Sequence, residues 1–278
     1  MPELPEMQGL AERLGSALTG ATLSGVEPLQ FSALKTVLPP ADAALGHSVE
    51  SVTRRGKYLL FDFVDGPRMI VHLSQGGRVD LEETPKRTRP KGAVVRLRFD
   101  GGPDVLVKEF GAERKAAWWV LERGDDGPLD GLGPEPFSDE FASLIRTGVD
   151  KRRIHTMLRD QRTVAGVGRG HTDDILHRAQ LSPYATLASL SADERERLLT
   201  AVRDVLDDAL GGERKRTGGL PTKLSDRFVV HGRAGRPCPR CGDDLRRVSY
   251  ESHEVVYCPT CQTGGKVLAD RRLSRLIR

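Results

Sequence analysis

No stretch of this chain approaches the roughly 20 consecutive apolar residues that a membrane-spanning helix needs, although 38% of its 278 residues are hydrophobic. The start also lacks a basic segment leading into an apolar core and a small-residue cleavage site, so nothing points to export and a cytoplasmic protein is expected. Cysteine does not occur before position 238. These absences argue against a helical membrane protein and against a disulfide-stapled secreted scaffold. With 29% charged residues the chain reads as soluble, and its length suits two packed cores of about 100–150 residues each.

Charge is unevenly spread. Residues 213 to 278 hold 15 Lys/Arg against 7 Asp/Glu, an excess of +8 in a chain whose net charge is +4. A localised basic surface suits a polyanion such as nucleic acid, or is simply a solvated face. Arginine far outnumbers lysine, which favours bidentate contact with phosphate.

All four cysteines lie in that basic end, as CPRC (Cys238, Cys241) and CPTC (Cys258, Cys261), with 16 residues between the pairs. This is the spacing at which two tight turns present four thiolates tetrahedrally to Zn2+. Two disulfides or a redox pair would use the same residues, but the first wants an oxidising compartment and the second a strand–helix setting. One structural Zn2+ per chain is expected, and four protein ligands leave no coordination position for catalysis. Between the pairs, GDDLRRVSYESHEVVY alternates as two short strands with Leu245, Val248, Val255 and Tyr257 apolar. The result is a metal-stapled hairpin flanked by arginines.

Residues 150 to 183 read as helix, glycine turn, helix: Ile154, Met157 and Leu158, then Ile175, Leu176 and Ala179, recur at helical spacing around AGVGRG. The second helix is predicted to start at His171 or Thr172, with Asp173 and Asp174 in its first turn. Gly166, Gly168 and Gly170 would let backbone amides approach a phosphate; a glycine there would equally serve as the C-cap of the first helix. Ser138 is the predicted N-cap of a further helix carrying Phe141, Leu144 and Ile145, and the Pro/Gly-rich residues before it mark a domain boundary. Upstream, alternating runs separated by turn residues make the first domain mostly strand. At the very start, Met7, Leu10, Leu14 and Leu18 define an amphipathic helix with Pro5 in its first turn and Gly20 as its stop. Glu3 and Glu6 fall at its beginning, where carboxylates complement the helix dipole.

PELPE at the terminus, RRGKYLL at 54 to 60, LGPEP at 132 to 136, VAGVG at 164 to 168 and VHGRAGRPCPRCG ahead of the second cysteine pair resemble, in order and spacing, bacterial formamidopyrimidine-DNA glycosylase and its relative endonuclease VIII. The resemblance implies an α+β fold in three parts. These are an N-terminal β-rich sandwich with a leading helix (1–137), a helix–two-turn–helix domain (138–228), and a four-cysteine zinc finger built on a zinc-ribbon-like β-hairpin with a basic tail (229–278). It also implies a base-excision-repair DNA glycosylase with abasic-site lyase activity on a damaged, oxidised base. A monomer bound to damaged double-stranded DNA, in the bacterial cytoplasm beside the nucleoid, is the expected working form. Loss of Met1 would expose Pro2 as a secondary amine, and α-amino groups titrate near about 7.7–8.0, far below lysine. Attack of that amine on C1′ of the sugar gives an iminium, which permits elimination of the 3′ phosphate. By the same resemblance, Glu3 exchanges a proton at the sugar, Glu6 supports it, and Lys57 reaches the lesion and its phosphate.

Several positions depart from the family pattern. Arg169, after the glycine Gly168, replaces a phosphate-binding asparagine. Gln75 in HLSQGG replaces a methionine that fills the gap left by the flipped nucleotide, and His253 replaces an arginine that contacts phosphate and serves the second, δ-elimination. The family's Arg–Phe wedge pair aligns with either Glu109–Phe110 or Arg114–Lys115, and electrostatics prefer Arg114 beside DNA. The loop that covers oxidised guanine falls within residues 214 to 228 and is short. The expected DNA-contact set is therefore Gln75, Arg114, Gly168, Arg169 and His253. The alternative is a non-enzymatic DNA-binding protein that keeps the scaffold while these readout residues have drifted.

Overall fold

A computed structural model describes residues 1–84, 89–110, 113–221, 227–250 and 253–269. The chain forms two compact units: Met1–Gly131 with Leu210–Leu224, and Leu132–Ala209 with Ser225–Arg278.

The first unit opens with α1 (Leu4–Leu18) and continues through β1 (Thr22–Pro28), β2 (Val49–Arg55), β3 (Tyr58–Phe63), β4 (Arg68–His72), β5 (Gly77–Glu82), β6 (Ala93–Asp100), β7 (Asp104–Glu109) and β8 (Ala117–Leu121). The strands are rich in Val, Phe and Leu, which suit a pleated surface, and they pair antiparallel into two four-stranded sheets, β1-β6-β7-β5 and β2-β3-β4-β8. Leu23, Val95, Leu97, Val105 and Val107 from one sheet meet Val52, Phe61, Phe63, Val71 and Trp118 from the other in a single core. Alternate residues of the second sheet, Leu60, Ile70 and Leu121, form a smaller cluster on its opposite face, as the two-residue side-chain period requires. The apolar stripe of α1 (Met7, Leu10, Leu14, Leu18) joins the main core. This is the expected β-sandwich with a leading helix.

Residues after Leu210 return to this unit and are fastened there. Arg13 on α1 donates to the carbonyl oxygens of Gly218 (2.7 Å) and Glu213 (3.0 Å), Arg214 forks onto Glu12, and Leu220 bridges to Val79 of β5 and is buried in the sandwich core.

The second unit holds α2 (Asp139–Thr147), α3 (Ile154–Arg159), α4 (Arg169–Arg178), most of α5 (Ala192–Arg214), the hairpin β9 (Arg246–Tyr250) and β10 (His253–Tyr257), and the short α6 (Pro259–Thr263). Ser138 caps α2 as its sequence predicts, its hydroxyl accepting the Phe141 amide at 3.2 Å. The longest helix, α5, goes beyond the elements expected from the sequence; Leu198, Val202, Val205 and Leu206 bury its apolar face at i, i+3 and i+4 spacing. No described helix is long and apolar enough to cross a membrane.

Candidate functional site

The start of α1 gathers three of the four residues to which a catalytic role was assigned. Glu3 is the N-cap in an extended conformation, Leu4 and Pro5 open the first turn, and Glu6 occupies its third position. Pro5 loses nothing there, because first-turn amides have no intrahelical partner. Glu6 Oε2 accepts the Glu3 amide at 2.7 Å and closes a capping box with it. Pro2, Glu3 and Glu6 are all buried, Glu6 almost completely, while Met1 is exposed. The dipole reading of the glutamates is thus realised in Glu6, and the same bond fixes the backbone of Glu3.

Lys57 is buried in the two-residue turn that joins β2 to β3, where Gly56 takes a positive φ of 55°. That hairpin is tied to α1 by Arg54, whose Nε donates to Gln8 Oε1 at 2.9 Å. His72 lies across from Tyr58 in the next strand and packs on its ring, with centroids 4.7 Å apart. Burial, reinforced by the charge of Lys57, pushes the His72 pKa down to about 4. His72 is therefore a neutral neighbour of the lysine at physiological pH, a role that its place in HLSQGG did not signal.

Gln75 sits exposed at the tip of the β4–β5 turn, after Ser74 at φ 51°. The turn is closed by the Gly77 amide bonding Leu73 O (2.8 Å) and is laced to the next loop by the Phe110 amide bonding Gly76 O (2.9 Å). Phe110 is thus bonded to the turn that carries Gln75. Glu109 is buried, and its two carboxylate oxygens accept the amides of Lys115 and Ala116, each at 2.9 Å. Arg114 lies exposed within the loop that this carboxylate clamps.

In the second unit the glycine turn differs from its sequence reading in two respects. First, α4 begins at Arg169 with Gly168 as N-cap, earlier than the predicted His171 or Thr172. Asp173 and Asp174 therefore fall beyond the first turn and are drawn inward by distant partners. Asp174 accepts the amides of Val229 (2.7 Å), Val230 (2.8 Å) and His231 (3.2 Å), and burial still raises its pKa against those bonds. Asp173 binds His155 Nε2 (3.1 Å), His231 Nδ1 (2.6 Å) and the Val256 amide (3.2 Å). Second, no glycine caps α3, which ends at Arg159 with Asp160 as its C-cap. The turn is instead braced by Gln161, which accepts from the Gly166 amide and donates to Val167 O. Arg169 stands exposed at the first position of α4, where helix amides favour an anion. A side chain at Gly170 would displace the Phe228 ring, since a Cβ would lie 2.1 Å from it.

The four cysteine sulfurs lie within 4.8 Å of one another, with Cys238–Cys261 at 3.9 Å and Cys241–Cys258 at 3.5 Å. Those separations are too long for a disulfide. They match a tetrahedral centre, in which metal–sulfur bonds of about 2.3 Å set the sulfurs about 3.8 Å apart. Without a cation, burial pushes the Cys258 thiol up to about 11 and also raises Cys261, as expected of cysteines grouped to hold a cation. The donor set fits zinc. His253 opens β10 opposite Tyr250 at the free end of the hairpin, and its side chain lies outside the described atoms. Of the segment expected to cover an oxidised base, residues 222 to 226 lie outside the described residues.

Sandwich, helix–two-turn–helix and four-cysteine finger together define the helix–two-turn–helix class of DNA glycosylases. Family models agree: residues 1–114 match the formamidopyrimidine-DNA glycosylase N-terminal domain and residues 132–218 match its H2TH domain. The chain belongs to the formamidopyrimidine-DNA glycosylase family. It is 35% identical to the formamidopyrimidine-DNA glycosylase of Thermus thermophilus over 95% of this chain and 100% of that one. The crystal structure of the MutM (Fpg) protein from the same organism superposes with a TM-score of 0.80 at 32% identity, covering 96% of this chain and 100% of that chain. Lactococcus lactis Fpg, in complex with DNA containing an abasic site, shares the fold with a TM-score of 0.82 at 24% identity, covering 94% and 99% of the two chains.

Proposed function

We propose that this protein excises a damaged base from double-stranded DNA and then cuts the strand at the resulting sugar, using Pro2 as nucleophile. The observation that carries the reading is the buried Pro2-Glu3-Glu6 start of α1, retained in a member of a glycosylase family. With Met1 removed, the Pro2 nitrogen attacks C1′ as the C1′–N bond breaks and the base leaves with a proton. The nitrogen lone pair then forms an iminium with C1′, and Glu3 supplies a proton to the ring oxygen as the sugar opens. Loss of a C2′ proton follows, and the C3′–O bond breaks to release the 3′ phosphate. Glu6 is a positioning residue, because its carboxylate is engaged with the Glu3 amide. Lys57, on the hairpin tied to α1, is assigned to the lesion and its phosphate.

Gln75, with Phe110 beside it, would enter the gap left by the flipped nucleotide. Arg114, Gly168, Arg169 and His253 would meet phosphates, with Arg169 adding charge to the amides at the start of α4. The four cysteines would hold a zinc ion whose contribution is to fix the finger and leave the chemistry to the N-terminus. The intact α1 start disfavours a DNA-binding protein without activity.

Borohydride reduction on a duplex bearing an abasic site tests this directly: the mature protein should become covalently joined to the DNA. An extra residue ahead of Pro2 converts its amine to a tertiary amide and should abolish the adduct. Pro2→Gly, which leaves a primary amine on a looser backbone, should lower it. If the mature, unblocked protein yields no adduct while binding the duplex, the inactive-scaffold reading replaces this one.

A further inference from the structure

The finger is fastened to the helical part of its unit through one face of α4. Asp173, Asp174 and His177 recur at i, i+1 and i+4, all are buried, and each bonds to the C-terminal segment. The first two act on backbone and histidine groups. His177 acts on a sulfur: its Nε2 lies 3.1 Å from Cys238 Sγ, with both residues more than nine-tenths buried.

The chemistry of that contact is asymmetric. A zinc-bound cysteine has lost its proton and can only accept, so the hydrogen between the two atoms belongs to His177 Nε2. The other described donors to the cysteine sulfurs arise inside the finger's own turns: the Cys261 amide points at Cys258, and a backbone group of Asp243 serves Cys241. Cys238 alone among these three takes its donor from a helix outside the finger. An N–H directed at a thiolate stabilises its charge and fixes the direction of its remaining lone pairs, as outer groups do around metal ligands generally.

We propose that His177 is a positioning residue of the metal centre, its Nε2–H anchoring the Cys238 thiolate to α4 so that retention of the ion depends on that helix. The proposal rests on the reading that the four cysteines bind zinc.

Metal content of the purified full-length protein comes first. A chain that holds no zinc, even after refolding with it, sinks both readings. With one zinc per chain, His177→Phe keeps a flat ring without the donor and should pass its zinc to a chelator about tenfold faster than wild type, whereas His177→Gln restores an N–H and should return close to the wild-type rate. In the cobalt-substituted proteins, the sulfur-to-cobalt charge-transfer band should shift in His177→Phe and recover in His177→Gln. Equal rates and unshifted bands in a zinc-replete His177→Phe protein overturn this proposal and leave the zinc reading standing. Should that variant fail to fold, NMR of the cadmium-loaded wild type decides: the His177 proton should sit on Nε2 and show scalar coupling to cadmium through sulfur. A proton found on Nδ1 with Nε2 bare overturns the proposal.

Discussion

The carboxylate of Glu6 binds the Glu3 amide at the head of α1, and its replacement separates stability from chemistry. Glu6→Ala should cost about 1 kcal/mol as a lost cap, read as a lower urea midpoint, and should also reduce borohydride trapping because Glu3 loses its fixed backbone. His72 gives a pH signature. Its folded pKa of about 4 lies below the ordinary 6.5, so between those values the unfolded chain takes up a proton that the folded chain refuses. Stability contributed by this group is therefore complete above 6.5, declines as pH falls through the window, and changes no further below about 4. The shift amounts to about 3 kcal/mol. Unfolding free energies from urea melts at pH 7 and pH 4 should differ less in His72→Phe than in wild type by roughly that amount; an unchanged difference would remove the neutral imidazole from the account. That the candidates Pro2, Glu3 and Glu6 lie together was legible, since they are neighbours in sequence. The part played by His72 was not, because its partial burial and its lysine neighbour arise only when β4 pairs with β3.

Among elements, the β4–β5 turn is the one most sensitive to a single methyl group. A Cβ on Gly76 would fall 1.8 Å from Phe110 O, so Gly76→Ala must push the Phe110 loop away. A loss of about 1–3 kcal/mol, in the range of overpacked sites, is expected in thermal or urea melts, with a change in preference for the base opposite the lesion. Hydrophobic period and turn residues disclosed α1 to α4 and the finger hairpin because those signals are local. The beginning of α4 escaped for a physical reason. Thr172, Asp173 and Asp174 have the composition of a helix start, yet the amides and imidazoles that claim the two carboxylates come from residues 155, 229 to 231 and 256. Local preference was overridden by partners that no short window contains. Glu109 differs, since the amides of Lys115 and Ala116 that its oxygens accept lie only six and seven residues further on.

For the molecule as a whole, the two units have different sources of stability. The sandwich core is aliphatic and aromatic throughout, whereas the finger's cluster is small and is built around Cys238 and Cys258. Removing the proposed zinc with a chelator should therefore raise amide exchange across residues 229 to 269 and along α4 while leaving β1 to β8 protected, as hydrogen-exchange mass spectrometry would show. Acid should act in the same direction, since protons compete with zinc for thiolates; protection of the finger that persists after complete metal loss would contradict this. Finally, the sandwich is not encoded by one uninterrupted stretch. Leu220 and the acceptors of Arg13 come from more than 80 residues beyond Gly131, so a gene severed after codon 131 yields a half-protein with a hole in its interior. Fragments cut there should regain solubility only when co-expressed, whereas a circular permutant opened at that junction, which keeps both halves in one polypeptide, should stay soluble.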